Sequence, residues 1–510
     1  MRYSEYRCII VQKLPLRYAC LSRREGHQLS NKDEILEDVL DEFSNLAKIP
    51  RKSGHEKAVS DYLKKRLEGM GLSVVQDDVN NIIADMPASP GYESAPRTIL
   101  QCHMDMVCVA EEGVSYDPLT DPIRLHRTDE ILEAEGTSLG SDDGSGIAII
   151  IHTLKSVKRH GPLRMIVTVD EEQGMTGAVH LDKKYLSDAD FLINCDSENY
   201  DELTVGSAGS VNLDFEKEMK EQKPVCGSAY EIAVSGLKGG HSGEQIGSGR
   251  GNAIHTLAYT IRGLFDKGDT ELASMHGGKA RNAIPDASSA VIVTDIPEDE
   301  IDKVLRDEER RFSDIYGDSD PCISIELKKV NMPEKVLDHN GAGSLLDLLS
   351  VLHTGVYAMS QNVSGLVETS ANLGVVDVED GHANIQFFPR SGIDAQVEEF
   401  TRYARAIARM SGFKADIGMI SPGWKENKHS RLAGLMSDIF KQQNNKPMNV
   451  DIIHAGLECG WHFMKNPKLD MVSIGVTTKD IHSPNEKMVL STVRPQAELI
   501  RETIERIAEL

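Results

Sequence analysis

Cysteine is scarce in this chain: there are 8 residues in 510, and no Cys-x-x-Cys pair among them. That content excludes a disulfide framework and a thiolate-bound structural zinc site, and it favours a reducing, cytoplasmic compartment. Long hydrophobic runs are also missing. No apolar stretch reaches the roughly 18 residues of a membrane-spanning helix, so we expect no membrane-embedded segment.

Positive charge is in short supply as well. The chain has 56 lysine and arginine residues against 80 aspartate and glutamate residues, which gives a formal net charge of −24. This balance argues against nucleic acid or an anionic membrane as a partner. The apolar content of 40% is ordinary for a globular protein. A chain of 510 residues is longer than a domain with a single hydrophobic core usually is. Two or more domains are therefore expected.

The first thirty residues depart from this acidic character. They carry basic residues at positions 2, 7, 13, 17, 23 and 24 and acids only at positions 5 and 25. A secretory signal peptide would need a longer apolar core and a small-residue cleavage site. A mitochondrial-type presequence, an unstructured extension and an upstream start codon all stay open, with the last two favoured. We predict a basic, poorly ordered extension over residues 1–30.

Apolar periodicity predicts strands that alternate with helices on both sides of the middle of the chain. Helical spacing covers 33–48, 56–70 and 143–157, and strand-like runs cover 98–104, 163–169 and 191–194. This βαβ alternation predicts a mostly parallel central sheet with flanking helices. The same character returns after about residue 422, with helices at 428–441 and 456–464 and a strand at 471–475.

The middle of the chain has a different order of elements. Strands at 229–235, 270–276, 288–295 and 322–328 enclose helices at 252–265 and 298–312, which is the order of a ferredoxin-like unit. Helices near 341–354 and 393–411 indicate a second such unit. We therefore predict an α/β protein with a catalytic domain, residues 31–208 and 422–510, interrupted by an inserted α+β lid domain, residues 209–421.

Five short segments concentrate histidine and carboxylate side chains. They are Gln101–Asp105, Gly140–Gly144, Val169–Glu172, Asn194–Glu198 and Asp480–Pro484, and all but the second directly follow an apolar, strand-like run. The carboxyl ends of parallel strands converge on one crevice, where such folds place their ligands. Nitrogen and oxygen ligands without a thiolate suit a hydrolytic zinc, manganese or cobalt centre. The pattern predicts a metal-dependent enzyme.

Each segment also has an ordinary explanation when it is taken alone. His103 and Asp105 are spaced to share one strand face, where Asp105 would orient a metal-binding imidazole, but they also fit a plain strand end. Asp142 is either a helix N-cap or a carboxylate shared by two cations. Asp196 and His482, each taken alone, could be ordinary loop residues.

The run Asp170-Glu171-Glu172 is the least ordinary of the segments. On a strand, Glu171 and Glu172 would point to opposite sides, so that one carboxylate binds metal and the other serves as general base. A solvated acidic turn is the alternative. The joint arrangement of two histidines and three carboxylates favours the metal site, because the nucleophile-elbow, P-loop, H-E-x-x-H and dinucleotide motifs are all missing.

Three longer motifs join these segments in a resemblance to a known family. They are Gly236–Gly243, Arg281–Pro285 and His454–Gly460. In identity and order the segments resemble the M20 family of co-catalytic zinc peptidases, and specifically its aminoacyl-histidine dipeptidase branch, which cleaves Xaa-His dipeptides such as carnosine. The similarity runs from about residue 33 to the C-terminus.

The resemblance implies two divalent metal ions per chain, with zinc as the first choice and cobalt or manganese as alternatives. The implied ligands fall into two groups that share one aspartate: His103, Asp142 and Asp196 for one ion, and Asp142, Glu172 and His482 for the other. Glu171 would be the general base, and Asp105 would orient His103. A cis peptide bond is implied between Asp142 and Asp143. Asp143 stands where many relatives have asparagine, which adds a negative charge near the ions.

The resemblance also implies four substrate-binding residues, of which one is catalytic too: His241, Asn282, Arg390 and Gly456. His241 would stabilise the oxyanion after the lid closes, and Arg390 would bind the substrate carboxylate.

The sequence thus predicts metal-dependent hydrolysis of dipeptides of the Xaa-His type, such as β-Ala-His, with wider dipeptide specificity. The rivals are another hydrolase on the same site, either a tripeptidase or an N-acyl amino acid deacylase, and a non-catalytic relative that has lost a ligand or the base. The expected partner is a small peptide, with neither nucleic acid nor membrane. A homodimer through the lid domain stays open.

Overall fold

The computed structural model describes residues 33–510 apart from residues 362 and 364. The extension predicted over residues 1–30 lies outside the described residues. The described chain forms two large sheets, and each is covered by helices that share a hydrophobic core with it. In this part of the chain, no helix combines the length and apolar character that crossing a membrane requires.

The first large sheet has eight strands, in the spatial order Ser73–Gln76, Ile82–Met86, Leu163–Thr168, Thr98–His103, Phe191–Asn194, Asp470–Ser473, Glu202–Ser207 and Asn449–Ile453. The four strands in its centre, from Leu163–Thr168 to Asp470–Ser473, all run parallel. The mostly parallel central sheet that βαβ alternation predicts is confirmed.

Helices cover both faces of this sheet because its central strands are apolar on both sides. Ile99 packs on one face and its neighbour Leu100 on the other, as the two-residue period of a strand requires. The face with the larger hydrophobic core carries the helices Glu34–Leu46, Lys57–Gly69, Ser141–Ser156, Arg431–Asn444 and Val493–Ile507. The core of the opposite face includes Lys184–Ser187 and Glu458–Lys465. The short helix Thr176–His180 contacts Glu458–Lys465, and Glu171–Gly174 contacts Thr176–His180.

The second large sheet is antiparallel throughout. Its strands follow the spatial order Ser324–Lys329, Ser228–Ser235, Ser288–Thr294, Thr270–Gly277, Val367–Glu379, His382–Ser391, Gly209–Glu218 and Lys414–Ser421, with Gly355–Met359 paired to Val367–Glu379. Four helices pack into its core: Ala253–Lys267, Glu298–Tyr316, His339–Val351 and Asp394–Ser411.

Two ferredoxin-like units make up this second sheet, as the sequence predicts, but they are nested. The first unit runs from Ser228–Ser235 to Ser324–Lys329, and its last strand lies beside its first. The second unit takes Gly209–Glu218 as its own first strand and resumes at His339–Val351. The first unit is therefore inserted into the second, which consecutive reading of the sequence does not show.

Three small sheets connect the loops near the edges. A four-stranded sheet has the order Thr478–Lys479, Lys487–Val489, Ile131–Ala134 and Leu125–Arg127. Two further ribbons pair Gly240–His241 with Ala283–Ile284 and Glu221–Gln222 with Val336–Leu337. Since Thr478–Lys479 and Lys487–Val489 are antiparallel neighbours, residues 480–486 form the loop of a hairpin, and this loop carries His482.

Candidate metal centre

His103 and Asp196 are brought together by the register of two neighbouring parallel strands. Gln101 lies opposite Asn194, so the residues two positions further on meet at the carboxyl edge of the sheet. The Nε2 atom of His103 lies 3.3 Å from Oδ1 of Asp196. Strand pairing alone therefore places one imidazole and one carboxylate where such sheets bind their ligands.

Asp142 lies between two histidines. Its Oδ1 atom is 3.0 Å from Nε2 of His103, and its Oδ2 atom is 3.1 Å from Nε2 of His482. The predicted cis peptide bond between Asp142 and Asp143 is present. Asp143 itself is buried and accepts hydrogen bonds from the backbone N–H groups of His103 and Gly146. The two oxygens of Asp142 thus face two different imidazoles, which is the geometry of a shared ligand.

Donor atoms converge in three overlapping groups, each with one donor atom per residue and all donor atoms within 4.8 Å of one another. The groups are His103, Asp142 and Asp196; Asp142, Glu172 and His482; and His103, Glu171 and Glu172. The first two groups bring together the ligand sets that the resemblance implies. The third group places the Glu171 carboxylate next to both of them.

The expectation that Glu171 and Glu172 lie on a strand is wrong. The strand ends at Thr168, Asp170 adopts a left-handed conformation with φ of 56°, and Glu171–Gly174 is a single helical turn. Asp105 holds this turn, because its carboxylate accepts the backbone N–H of Glu171 at 3.0 Å and that of Glu172 at 3.3 Å. The two glutamates separate because successive helical residues point in different directions.

Asp105 also faces His103 from beyond the end of the strand, at 3.4 Å between Oδ1 and the Nδ1 atom. Burial alone would raise the pKa of Asp105, but its contacts with His103 and with the Glu171 N–H outweigh burial and lower it. An ionised carboxylate at Nδ1 favours the tautomer in which Nε2 has its lone pair free. Nε2 of His103 points at Asp142 and Asp196, so the ring is oriented as a metal ligand would be.

The acids of this centre crowd together without a neutralising lysine or arginine. Among the described residues, Asp142, Asp196 and Glu172 form ion pairs only with the two histidines. Burial, with Asp142 and Glu172 nearby, raises the pKa of Asp196 to about 7. Burial would lower the pKa of His482, but its hydrogen bonds to Asp142 and Glu172 raise it to about 11. This excess of negative donors fits divalent cations.

Arg390 lies on the strand His382–Ser391 of the second sheet, and His241 lies in the ribbon that pairs Gly240–His241 with Ala283–Ile284. Burial lowers the pKa of Arg390 to about 10, and its Nε atom has no hydrogen-bond partner among the described residues. Burial, followed by the charges of Arg390 and His482, lowers the pKa of His241 to about 4. A neutral imidazole therefore lies within electrostatic range of both His482 and Arg390, and the Arg390 guanidinium is buried.

Asn282 and Gly456, the other two predicted substrate-binding residues, have contacts outside the groups of donor atoms. The Asn282 side chain is exposed, and its backbone oxygen accepts the N–H of Ser242, next to His241, at 2.8 Å. A Cβ atom at Gly456 would lie 3.5 Å from the Cε atom of Met175, which is ordinary contact. The structure thus brings Asn282 to the His241 loop through its backbone and leaves its side chain exposed.

Several residues around the centre were not singled out from the sequence. His454 bonds to Ser370 at 2.7 Å, and burial together with Arg390 lowers its pKa to about 4. Glu458 is fully buried and accepts hydrogen bonds from Gln101 and Thr168, and burial raises its pKa to about 8. Both lie in the motif His454–Gly460, whose length was the available signal.

Two further residues, Arg51 and Glu486, bind the backbone of the ligand loops. Arg51 lies 89 residues from its partner Gly140 and had no local signal. Glu486 follows His482 by four positions in the segment His482-Ser-Pro-Asn-Glu486, and that spacing was visible.

Comparison with known proteins shows the family of this chain. Residues 99–506 match the model of the peptidase family M20/M25/M40. The cytosol non-specific dipeptidase of Escherichia coli (strain K12) is 33% identical over 473 residues, which cover 92% of this chain and 97% of that protein. The crystal structure of the aminoacylhistidine dipeptidase from Vibrio alginolyticus is 31% identical with a TM-score of 0.79, over 92% of this chain and 96% of that one.

Human carnosine dipeptidase 1 is 14% identical with a TM-score of 0.51, over 94% of this chain and 98% of that one, and it supports the fold alone. The family match spans most of the chain, and the E. coli relative is aligned over almost its whole length. The chain belongs to the peptidase family M20/M25/M40.

Proposed function

We propose that the protein is a metal-dependent dipeptidase that hydrolyses Xaa-His dipeptides such as β-Ala-His together with other dipeptides. The observation that carries this proposal is the position of Asp142, whose two oxygens face the Nε2 atoms of His103 and His482. Asp196 would complete one ion site and Glu172 the other. Two divalent ions, with zinc as the first choice and cobalt or manganese as alternatives, fit this donor set.

When bound, such ions polarise a scissile carbonyl and lower the pKa of water towards neutrality. Glu171 is the proposed general base. Burial and the charge of Asp196 raise its pKa well above the ordinary value, which marks a carboxylate that gains a proton readily. Asp105 fixes the turn that presents it, through the hydrogen bond to the Glu171 N–H. The carboxyl group then returns the proton to the leaving amine.

His241 and Arg390 are the proposed substrate contacts from the inserted domain. A neutral His241 is able to donate an N–H to a developing oxyanion without adding a full charge. A buried cation without an anionic partner is costly, so Arg390 is suited to a ligand carboxylate. The free C-terminus of a short peptide supplies such a carboxylate. The distance between Arg390 and the scissile bond would then limit the length of the substrate. Asn282 and Gly456 complete the proposed contacts.

The rivals on the same site are a tripeptidase and an N-acyl amino acid deacylase, since both substrates also end in a carboxylate. The dipeptidase reading is favoured by the E. coli relative, a cytosol non-specific dipeptidase aligned over 97% of its length. A non-catalytic relative is disfavoured because every implied ligand and the base are present and converge. The E. coli relative also supports a cytosolic location, which we propose for this protein.

The boundaries of the two domains are proposed from the sequence, at residues 31–208 with 422–510 and at residues 209–421. A homodimer through the inserted lid domain stays a prediction. Light scattering at several protein concentrations measures it, and a mass near the 56.2 kDa of one chain at all of them would contradict it.

Removal and return of metal is the direct test of the function. Protein stripped with a chelator should hydrolyse no peptide, and two equivalents of zinc, cobalt or manganese should restore activity on β-Ala-His and related dipeptides. The panel includes a tripeptide and an N-acetyl amino acid. A preference for either of these would replace the dipeptidase by the matching rival, and activity that persists without metal would refute the metal mechanism.

Replacing Arg390 by methionine is expected to lower kcat/KM for β-Ala-His by about 10- to 100-fold, because a charge-assisted hydrogen bond to the substrate carboxylate is lost. The β-Ala-His C-terminal amide lacks that carboxylate. Wild type should therefore prefer the acid to the amide, and Arg390→Met should not.

Arg164→Met is the matched control, because Arg164 is also buried but already pairs with Asp85 and Asp188. It should leave the acid-to-amide ratio of kcat/KM at the wild-type value. An unchanged ratio in Arg390→Met would remove Arg390 from the carboxylate site.

A further inference from the structure

We propose that Glu486 is a positioning residue that ties the loop of Asp142 to the hairpin of His482, so that both side chains face the same metal ion. The inference rests on the proposed function, since it concerns how that metal site is held. The Glu486 carboxylate bonds to the backbone N–H of Asp142 and not to the Asp142 carboxylate. It acts on the backbone that carries this proposed ligand.

Glu486 accepts four hydrogen bonds from consecutive backbone N–H groups. Its Oε2 atom lies 2.9 Å from the nitrogens of both Leu139 and Gly140, and its Oε1 atom lies 2.7 Å from that of Ser141 and 3.3 Å from that of Asp142. The residue is only 2% exposed. A single buried carboxylate therefore fixes the whole segment that leads into Asp142.

Glu486 itself belongs to the hairpin loop that carries His482. The strands Thr478–Lys479 and Lys487–Val489 close this loop on both sides, and Ser141 Oγ lies 2.8 Å from Thr478 Oγ1 at its base. The Asp142 loop and the His482 loop are about 340 residues apart in sequence. Glu486 is thus a direct link between the two loops whose ligands meet at Asp142 Oδ2.

Arg51 holds the same loop from the other side. Its guanidinium donates to the backbone oxygens of Met104 and Asp105 at 3.1 and 2.9 Å, and to that of Gly140. Glu486 accepts a hydrogen bond from the N–H of Gly140. The backbone of this glycine is therefore bound by a cation, Arg51, at its oxygen and by an anion, Glu486, at its nitrogen. Gly140 has a φ of 70°, and a Cβ atom there would collide with Arg51 and Met106.

These contacts connect the backbone segments that carry the two proposed groups of metal ligands. Arg51 joins the Asp105 segment, which follows His103, to Gly140, and Glu486 joins Gly140 to the His482 hairpin. Outer partners of this kind set the orientation of ligands and typically contribute 10- to 100-fold to metal affinity. Loss of Glu486 should therefore lower the affinity of the site formed by Asp142, Glu172 and His482 for its metal ion.

Glu486→Gln tests this inference, because the amide has one acceptor oxygen where the carboxylate has two. We expect cobalt titration, followed by the visible absorption of the bound ion, to show one site weakened by about 10- to 100-fold. In the metal-free protein, amide hydrogen exchange at residues 139–142 should become faster. With excess metal, kcat should recover while KM stays at the wild-type value.

Glu271→Gln is the matched control. Glu271 is also a buried glutamate that accepts backbone N–H groups, those of Val225 and Cys226, but it lies in the second sheet. It should keep both metal affinities even if its melting temperature falls. Equal loss of metal affinity in both variants would show a merely structural role and overturn the inference.

Wild-type cobalt affinity at both sites and unchanged exchange at residues 139–142 in Glu486→Gln would also overturn it. If that variant does not fold, Glu486→Asp carries the same two measurements, because it keeps both acceptor oxygens on a shorter side chain and should show a smaller loss. A wild-type protein that binds two ions but cleaves no peptide would refute the proposed function. The cobalt and exchange measurements would still decide the role of Glu486.

Discussion

Replacement of Glu171 by glutamine is expected to lower kcat on β-Ala-His by about 10²- to 10⁴-fold, the range for loss of a positioned general base. The amide is nearly the same size as the carboxylate and cannot take the proton from water. Metal content should stay near two ions per chain, because Asp142, Asp196 and Glu172 keep their donor atoms. Single-turnover kinetics and metal analysis on the same sample make this measurement.

The Glu171 carboxylate also lies in a group of donor atoms with His103 and Glu172, so a ligand role is the rival assignment. Loss of one ion from Glu171→Gln would favour that rival. Asp170→Asn serves as the control, since Asp170 is the adjacent acid and bonds instead to Thr176. It should retain activity close to wild type. Near-normal turnover in Glu171→Gln with two ions bound would end its assignment as base.

Asp142→Ala should weaken both metal ions together, because its two oxygens face different histidines at 3.0 and 3.1 Å. Each site then loses one of three protein ligands. The loss per site should exceed the roughly 10- to 100-fold effect of an outer partner, and activity should stay low even with excess zinc. Equilibrium dialysis with metal analysis separates the two affinities.

Asp196→Ala provides the comparison, since Asp196 contacts only His103 among the two histidines. It should weaken one ion and leave the site of Glu172 and His482 near its wild-type affinity. The same one-site pattern in Asp142→Ala would mean that Asp142 does not bridge. Circular dichroism of both metal-free variants checks that each chain is folded.

The sequence by itself determined the types of ligand and their order along the chain. All of the predicted ligand segments except that of Asp142 have a local signature, a polar run after an apolar strand, and local patterns are what a single sequence shows directly. The sequence alone therefore predicts His103, Asp142, Asp196 and His482 as ligands. The parallel central sheet followed from the same βαβ alternation, and the structure confirms it.

The tertiary structure alone decided how the acidic turn presents its side chains. Three consecutive acids after a strand fit either a longer strand or a turn, and the local pattern favoured the strand. Asp105, which is distant in sequence, accepts the N–H groups of Glu171 and Glu172 and stabilises a helical turn instead. Local propensity was overridden by a long-range hydrogen bond.

The contacts that hold the ligand loops were also decided by the tertiary structure. Arg51 and Glu486 bind backbone atoms, and backbone groups leave no side-chain pattern at the positions they contact. Their partners lie 89 and more than 340 residues away. The nesting of one ferredoxin-like unit in the other is hidden for the same reason, since its strands pair across an insertion. The sequence specified which side chains we propose as metal ligands, and only long-range backbone contacts decided how they are held.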